Sequence, residues 1–532
     1  MTRYLLSSLF FFFVSVTLLS QTGLLKIDEE RIYDGYTLIY PHSQPNVLLL
    51  NNCGEVVHQW EDDDVYRAGN TAYLLESGDL IKTKRHFDFS NDSIWAGGAG
   101  AIVEGRSWDN DLLWSYELNN DKFRLHHDIE PLPNGNVLMI AWENITEAEA
   151  IELGRDPELI RFGELWGEKI MEYDPILDSI VWEWRVFDNV IQDYDSSKLN
   201  FGVVCDHPEK IDINKESTNG REDWLHANSV DYNPLTDEIM LDVPFLGELW
   251  VFKRGTKDEG LTFRWGNPAN YCGQQSDQKL FNPHDGHWVF DFLDESDPRY
   301  GKIAVFNNRY SSNSSAAHIL DPYDESGEYY FNDENFGPDE FLINYFYPSQ
   351  DSILSAGLSC IRSLPGGNTL LVYGKFGLIV ELTEDDEIVW EYKVPLRKGV
   401  ATSRSDDLLI DENLLFNAIK YPADFTAFDD KDLAPIGFIE VEQEFSCETI
   451  ITSNREVIIS NTLEAFPNPA STYLQIKKMD TPRSVFRILD IRGQAIKSGM
   501  LTKTNGKIDI TDIETGVYFL VVANQSTKFI KL

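Results

Sequence analysis

Residues 125–140 read LHHDIEPLPNGNVLMI, and two further stretches repeat this plan: residues 223–243, DWLHANSVDYNPLTDEIMLDV, and residues 281–292, FNPHDGHWVFDF. Each stretch places one or two histidines before a short apolar run that is typical of a β-strand. The three stretches are spaced like successive units of a repeat array. If each opens the innermost strand of one unit, we expect the histidines to converge at one mouth of a central channel.

Two kinds of phrase alternate between about residues 70 and 400. The first is a strand, a tight turn and a second apolar strand; its Asn-Gly and Gly-Asn steps are hairpin signals. The second is a hairpin that ends on an aromatic residue, and the four clearest examples end on Trp114, Trp182, Trp265 and Trp390. Two hairpins per unit make four strands, which is the blade of a β-propeller.

The number of units predicts the architecture. Five units follow one another, and an N-terminal piece at residues 36–61 carries the same turn and a terminal Trp60. We expect this piece to join strands after residue 410 in a sixth blade, because closure by both chain ends leaves no exposed sheet edge. The fold class is therefore predicted as all-β, a six-bladed propeller. Seven blades, a β-sandwich or two smaller β domains are the alternatives.

The charge distribution indicates a domain boundary and excludes one class of partner. The formal net charge is −43, from 45 basic and 88 acidic residues. Such a chain lacks the cations that nucleic acid or an anionic membrane surface requires. Residues 461–532 differ, with ten basic and six acidic residues. Their short alternating strands and Gly turns predict a separate small β-sandwich at residues 460–532.

The N-terminus and the cysteines indicate export. Residues 1–20 combine Arg3, an apolar run and a small Ser20, which is the pattern of a cleaved signal peptide. The mature propeller would then span residues 21–455, with no transmembrane segment after cleavage. Export permits disulfides, but five cysteines leave at least one free thiol. No CxxC or other zinc-type spacing occurs, so no metal and no cofactor is predicted.

The C-terminal block resembles the sorting domain of the type IX secretion pathway of Bacteroidetes. The matching phrases, in order, are FPNPAS, FRILDIRGQAIKSG, GVYFLVV and the terminal KFIKL. The resemblance implies that the type IX machinery is a partner. It also implies translocation across the outer membrane, removal of this domain, and a secreted or cell-surface location.

Most of residues 33–445 resemble bacterial arylsulfate sulfotransferases. The phrases that carry the resemblance include HHDIEPLPNGNVL, DWLHANSVDYNP, FRWGNP, HDGHWV and LPGGNTLLVYGKFGLIVEL. The family implies transfer of a sulfuryl group from a phenolic sulfate ester to a phenol, without a nucleotide donor. It also implies a histidine that carries the group covalently, while other histidines and an arginine hold the sulfate oxygens.

The resemblance assigns catalytic roles residue by residue. DWLHANSVDY gives His226, PHDGHWV gives His284, and FNNR gives Arg309. The family's nucleophilic histidine is expected in the fifth unit, but residues 352–368 contain none and no histidine follows His318. Sulfuryl transfer would then use another channel histidine, most plausibly His226 or His284, or direct attack by the acceptor. Cys360 lies near the vacant position, although a buried cysteine is more often inert.

Further candidates would bind the substrate. His127 is preferred over His126, because adjacent residues point to opposite faces of a strand, and His287 is assigned a structural role for the same reason. Asn228, Arg362 and Tyr373 complete the predicted substrate-binding set.

The sequence thus favours an exported arylsulfotransferase-like enzyme acting on a small aromatic sulfate donor and a phenolic acceptor. Two alternatives remain open. One is a non-catalytic secreted propeller that binds glycans or surface ligands, and the other is a hydrolase that uses a metal in the same channel.

Overall fold

The computed structural model describes residues 21–215, 217–256, 260–332, 335–348, 353–443, 447, 465–476, 483–489, 495–502, 506–522 and 525–532. The predicted leader, residues 1–20, and the predicted boundary near residue 460 lie outside the described residues. The chain divides into two compact units, residues 1–451 and residues 452–532, and each is described by itself.

The first unit is built almost entirely of β-strands. Its strands are β1 (Gly23–Ile27), β2 (Gly35–Ile39), β3 (Val47–Leu50), β4 (Glu55–Trp60), β5 (Tyr66–Leu74), β6 (Leu80–His86), β7 (Ile102–Arg106), β8 (Leu112–Glu117), β9 (Phe123–Pro131), β10 (Val137–Thr146), β11 (Glu164–Asp174), β12 (Ser179–Arg185), β13 (Val190–Ile191), β14 (Ile211–Asp212), β15 (Ser229–Asn233), β16 (Glu238–Val243), β17 (Glu248–Lys253), β18 (Phe263–Trp265), β19 (Pro283–Trp288), β20 (Ile303–Asn307), β21 (Ala316–Leu320), β22 (Ile343–Tyr345), β23 (Cys360–Ser363), β24 (Thr369–Tyr373), β25 (Leu378–Leu382), β26 (Ile388–Lys393), β27 (Leu396–Arg397), β28 (Val400–Ala401), β29 (Ala418–Pro422) and β30 (Gly437–Phe438).

Helix is scarce in the described part of this unit. The one α-helix there is α1 (Glu147–Glu152), which Thr146 and Glu149 cap reciprocally. Short 3₁₀ turns lie at Pro157–Leu159, Val186–Asp188, Val204–Asp206, Arg254–Thr256, Pro268–Tyr271, Gln275–Asp277, Pro365–Gly367, Gly374–Phe376 and Thr426–Phe428. Within the described residues, none of these helices is long and apolar enough to cross a membrane.

The strands form six antiparallel sheets of four or five strands. In spatial order they are sheet 1 (β29-β2-β3-β4-β30), sheet 2 (β5 to β8), sheet 3 (β9 to β12), sheet 4 (β15 to β18), sheet 5 (β19 to β22) and sheet 6 (β23 to β26, with β1 on the outer edge). Two small pairs, β13–β14 and β27–β28, lie outside these sheets. The all-β class is confirmed, and so is the predicted joining of residues 36–61 with a strand after residue 410.

Contacts between first strands lead from sheet to sheet. Strand β5 contacts β9, β9 contacts β15, β15 contacts β19, and β19 contacts β23. Strand β29 of sheet 1 contacts β23, and its neighbour β2 contacts β5. The sequence of contacts therefore returns to sheet 1, which both ends of the unit build together. A disulfide between Cys53 and Cys447 and a second between Cys205 and Cys272 cross-link the unit.

The predicted terminal tryptophans link neighbouring sheets. The indole N–H of Trp182 in sheet 3 donates to the Arg254 carbonyl at the end of sheet 4, at 3.0 Å. Trp390 in sheet 6 donates in the same way to Asn52 of sheet 1, at 2.8 Å. Because a buried indole N–H needs an acceptor, each of these hairpins ends where the next sheet offers a carbonyl.

The hairpin signals explain the positions of the inner strands. In sheet 3 the Asn134-Gly135 step turns the chain between β9 and β10, and Leu132 N–H donates to the Asn136 carbonyl at 2.8 Å. Gly135 has φ +87°, which favours glycine. Beyond the turn, β10 is buried from Val137 to Glu143. Alternating hairpins of this kind place the first strand of each sheet beside the first strands of its neighbours.

The second unit contains two smaller sheets. Its described strands are β31 (Ala465–Phe466), β32 (Tyr473–Ile476), β33 (Arg483–Leu489), β34 (Ala495–Thr502), β35 (Lys507–Asp509), β36 (Gly516–Val522) and β37 (Gln525–Lys531). Their orders are β31-β32-β35 and β34-β33-β36-β37. Apolar side chains of both sheets, among them Leu474, Ile488 and Leu520, share one buried cluster.

Candidate functional site

Histidines from three sheets meet at one end of the first strands. The rings of His127 and His226 pack edge to face with centroids 4.6 Å apart. Phe416, which precedes β29, contacts both His127 and His284, with centroids 6.0 Å and 4.6 Å away. We call His126, His127, His226 and His284 the histidine cluster. The predicted convergence of the three stretches is therefore present in the structure.

Local backbone irregularities turn these side chains toward one another. His127 has φ +50° and lies where the β9–β10 register shifts, and His226 has φ +59°. The register of β19 against β20 also shifts between His284 and His287. Non-glycine residues with positive φ are uncommon and mark functional or strained positions. Bulges re-aim side chains out of the strand alternation.

The residues after two of these histidines tie the first strands together. Asp128 accepts a hydrogen bond from Val230 N–H at 3.3 Å, and Asp285 accepts one from Ile361 N–H at 2.9 Å. The Asn228 amide donates to the Pro283 carbonyl at 3.0 Å, beside His284. Asn228, a predicted substrate ligand, therefore links β15 to β19 through its amide.

Asp223 is the partner of His226. Its carboxylate lies 2.5 Å from His226 Nδ1, and both side chains are largely buried. Burial lowers the pKa of His226, but the Asp223 charge and hydrogen bond outweigh it, with help from Glu168, and the net pKa is raised. The raised pKa favours the protonated ring, and an imidazolium can bind an anion.

The other histidines of the cluster are held neutral. Burial lowers the pKa of His126 and of His127 well below the ordinary value, and the charged His226 lowers both further. Burial also lowers the pKa of His284 to about 4. The site thus combines one imidazolium with several neutral imidazoles. This combination suits a site that must bind an anion and transfer protons.

His126 lies behind His127 and is fully buried. Its Nδ1 is 2.8 Å from His127 Nδ1, and its Nε2 is 2.9 Å from Glu168 Oε2 of β11. The ring stacks on Trp142 with centroids 4.0 Å apart. Burial raises the pKa of Glu168 to about 8. The bulge at His127 allows both adjacent histidines to reach the cluster, whereas a regular strand would place them on opposite faces.

A glycine-rich segment covers His127. Gly98 has φ +77°, and a Cβ added there would lie 2.0 Å from His127 Nε2. Its carbonyl accepts hydrogen bonds from His127 N–H and from the Asn70 amide, both at 2.8 Å. Only glycine leaves the imidazole this space.

A pocket of about 440 Å³ opens beside His226. Its walls include the rings of Trp95, Phe162, Trp166 and Phe245 together with Arg221, Glu222 and Asp223. Phe245 stacks on the His226 ring at 4.6 Å. Aromatic walls beside a cationic imidazole fit a flat ring that carries an anionic group.

Arg362 and His287 line a second pocket of about 350 Å³, whose lining includes no member of the histidine cluster. Arg362 donates to the Asp285 carboxylate at 2.5 Å, and Asp128, Glu130 and Asp231 also line this pocket. The sequence predicted Arg362 as a substrate-binding residue, and the structure places its guanidinium in the acidic pocket, where it pairs with Asp285.

Arg309 and Tyr373 also lie apart from the cluster. Arg309 is exposed after the end of β20, and its side chain makes no ion pair with any described residue. The insertion between β19 and β20 lengthens the interval between the phrase HDGHWV and the phrase FNNR, which ends on Arg309. Tyr373 is fully buried in an apolar cluster, and its ring packs against Phe306 and Tyr347.

Ser359 occupies the start of the fifth predicted unit, in sheet 6. It has φ +88°, its hydroxyl lies 2.9 Å from the Ser355 hydroxyl, and it accepts a hydrogen bond from Gly374 N–H at 3.1 Å. The next residue, Cys360, is buried and free, and burial raises the pKa of its thiol to about 12. A thiol with this pKa is not a nucleophile at neutral pH.

Several members of the site were not predicted. Glu168, Trp142 and Phe416 come from other strands, and His42 lies close enough to lower the pKa of His127. Asp223 stands three residues before His226, and this short spacing was the one signal in the sequence for a partner. Among the described residues, no group of three or more His, Cys, Asp or Glu side chains could hold a metal ion.

Comparisons with known families agree with both resemblances seen in the sequence. Residues 99–336, which include the histidine cluster, match the family model described as Arylsulfotransferase (ASST). Residues 464–532 match the model of the secretion system C-terminal sorting domain. The sorting domain indicates export by type IX secretion to the cell surface or to the outside of the cell.

Individual relatives are distant. No significant match exists among curated proteins. A protein of unknown function from Bacteroides caccae is 10% identical, with a TM-score of 0.39 over 68% of this chain and 94% of that one. A putative 6-phosphogluconolactonase from Bacteroides fragilis is also 10% identical, with a TM-score of 0.34 over 74% and 99% of the two chains.

Proposed function

We propose that this exported protein transfers a sulfuryl group from a phenolic sulfate ester to a phenolic acceptor without a nucleotide donor. The observation that carries the proposal is the charged His226–Asp223 pair at the edge of an aromatic pocket. The match of residues 99–336 to the arylsulfotransferase family model supports it. The sulfate would lie against His226, and the aryl ring would lie between the aromatic walls.

The transfer proceeds by direct attack of the acceptor on sulfur. An imidazolium has no free lone pair, so His226 cannot be the nucleophile while Asp223 keeps it protonated. Instead, His226 donates its Nε2 proton to the phenolate oxygen that leaves as the S–O bond breaks. Its charge also stabilises the negative charge that develops on the sulfuryl and phenolate oxygens. The His284 ring, whose centroid lies 4.6 Å from that of the Phe416 ring, lies on the other side of the cluster.

The architecture that would support this site has three parts. We propose that the six sheets are the blades of a six-bladed propeller spanning residues 21–455, after removal of the signal peptide at residues 1–20. The second unit would be a β-sandwich at residues 460–532 that the type IX machinery reads and removes. The return of first-strand contacts to sheet 1 supports the propeller.

The test is turnover of 4-nitrophenyl sulfate in the presence of phenol. His226→Ala and His284→Ala are expected to lower kcat/KM about tenfold or more, because each removes a contact worth roughly 1.5–3 kcal/mol. The matched control is His207→Ala, since His207 is an exposed histidine paired only with Glu209 in the described structure. Donor binding without turnover in the wild-type protein would favour the non-catalytic binding propeller instead.

A further inference from the structure

Three buried side chains form one continuous hydrogen-bonded chain. Glu168 Oε2 contacts His126 Nε2 at 2.9 Å, and His126 Nδ1 contacts His127 Nδ1 at 2.8 Å. The side chains of His126 and Glu168 are fully buried, and no water-exposed group interrupts the chain. His127 Nε2 makes no hydrogen bond with a described residue and faces Gly98 beside His226.

Each of these two contacts needs one proton between its heavy atoms, and if both rings stay neutral this limits the arrangements to two. If Glu168 is ionised, His126 donates from Nε2, His127 donates from Nδ1, and His127 Nε2 carries a lone pair. If Glu168 is protonated, it donates to His126 Nε2, His126 donates from Nδ1, and His127 carries its proton on Nε2. The second arrangement holds one more proton than the first, and both rings are neutral in each.

The electrostatic environment selects the carboxyl group as the place where the extra proton rests. Burial lowers the pKa of both rings, and the titratable groups that face His127 from neighbouring segments are the rings of His226, His126, His284 and His42. Burial, with a smaller contribution from the Asp223 charge, raises the pKa of Glu168 to about 8. The Ala227 N–H, which donates to Oε1 at 2.9 Å, and the charged His226 oppose this rise.

We propose that His127 Nε2 takes the proton of the phenolic acceptor and that His126 passes the charge to Glu168. This role rests on the proposed function. His127 is then the catalytic base, and His126 and Glu168 are positioning residues that let it accept a proton without becoming an imidazolium. A second imidazolium 4.6 Å from the charged His226 ring would be repelled, and the relay avoids it.

The proton count balances over one turnover. Turnover starts from the arrangement with ionised Glu168 and a lone pair on His127 Nε2, which prevails above about pH 8. The acceptor oxygen forms a bond to sulfur and loses its proton to His127 Nε2, so Glu168 ends protonated. The donor's S–O bond breaks, and the leaving phenolate takes the Nε2 proton of His226. The proton stored at Glu168 then returns through His126 and His127 to His226, which restores the starting state.

The experiment follows the ¹⁵N resonances of the histidine rings in the secreted protein as the pH is changed. The His127 signals are assigned by their loss in His127→Gln. As the pH rises through about 8, we expect His127 Nε2 to change from protonated to unprotonated while its ring stays neutral. In Glu168→Gln this change disappears, because an amide cannot take up the extra proton.

Turnover of 4-nitrophenyl sulfate with phenol is measured on the same variants. Glu168→Gln is expected to lower kcat about 100-fold or more, within the usual contribution of general base catalysis, with KM for the donor nearly unchanged. Glu172→Gln is the matched control, since Glu172 is a buried carboxylate on the same strand that pairs with Arg254. It should leave the His127 resonances unchanged.

The outcomes separate this proposal from the proposed function. If the protein transfers the sulfuryl group but the His127 resonances do not respond to Glu168→Gln, the relay is overturned and the proposed function stands. If the protonation of His127 depends on Glu168 but the protein transfers no sulfuryl group, the relay is shown. The role of His127 as the base and the proposed function are then both overturned. If Glu168→Gln does not fold, the wild-type protein still provides a test. The relay is overturned if His127 carries its proton on the same nitrogen from pH 6 to 10.

Discussion

Replacement of Asp223 by asparagine tests the charge on His226. The substitution keeps the shape of the side chain but removes the carboxylate that lies 2.5 Å from His226 Nδ1. Burial, the largest cause, then lowers the pKa of the imidazole against only the smaller contribution of Glu168, so we expect the ring to be neutral near pH 7. A charge-assisted hydrogen bond contributes about 1.5–3 kcal/mol. Affinity for 4-nitrophenyl sulfate at pH 7 should therefore fall about 10- to 100-fold.

The pH dependence gives a second readout with a defined sign. Because the folded-state pKa of His226 is raised, its charge and the stability of the ion pair are fully present below the unfolded pKa of about 6.5. Both are lost as the pH rises through the folded-state value. In Asp223→Asn, binding measured by calorimetry should fade at a lower pH than in the wild-type protein. The exposed Asp188→Asn is the control, and unchanged affinity and pH limit in Asp223→Asn would refute the assigned role of His226.

Three further predictions concern other parts of the molecule. Gly98→Ala should displace His127 and abolish most turnover, because the Cβ of the new alanine would lie 2.0 Å from His127 Nε2. The control Gly135→Ala should retain turnover, since Gly135 also has a positive φ but a Cβ added there would have no atom within 4 Å. The pKa of His284 is lowered to about 4 in the folded protein, so the folded state loses roughly 3 kcal/mol of stability as the pH falls from 6.5 toward 4. In His284→Gln this part of the pH dependence should disappear from the free energy of unfolding measured with urea. Mass spectrometry of secreted material should find an N-terminus near Gln21 and a C-terminus before about Ala465, and a full-length secreted chain would speak against both processing steps.

Local sequence signals predicted the sheets well. The Asn134-Gly135 turn acts within a few residues of the chain, and the terminal tryptophans mark the ends of hairpins, so their pattern shows where hairpins begin and end. The pairing of residues 36–61 with β29 was also predictable, since a lone edge strand needs a partner. These signals predicted four strands per sheet, which sheets 2 to 5 have, whereas β30 and β1 each add a fifth strand to sheets 1 and 6.

The chemistry of the site was only partly predictable. His127, His226 and His284 were visible because each stands before an apolar run. The contact of His126 with Glu168 joins residues 42 positions apart, and it depends on a bulge that the alternation rule does not anticipate. Arg309 was assigned from the resemblance, and Arg362 and Tyr373 were predicted substrate-binding residues. In the structure Arg309 is exposed after β20, Arg362 pairs with Asp285, and the Tyr373 ring is buried.

The most direct test of the account is the fate of the sulfuryl group when purified protein meets 4-nitrophenyl sulfate. We predict that 4-nitrophenol is released only when phenol is present, that an equal amount of phenyl sulfate forms, and that no ³⁵S label from the donor remains on the protein after rapid quenching. Label on His226 or His284 would contradict direct transfer, and label that Cys360→Ser abolishes would contradict the inert thiol. Absence of both label and product over a panel of phenolic sulfates would contradict the proposed transferase function itself.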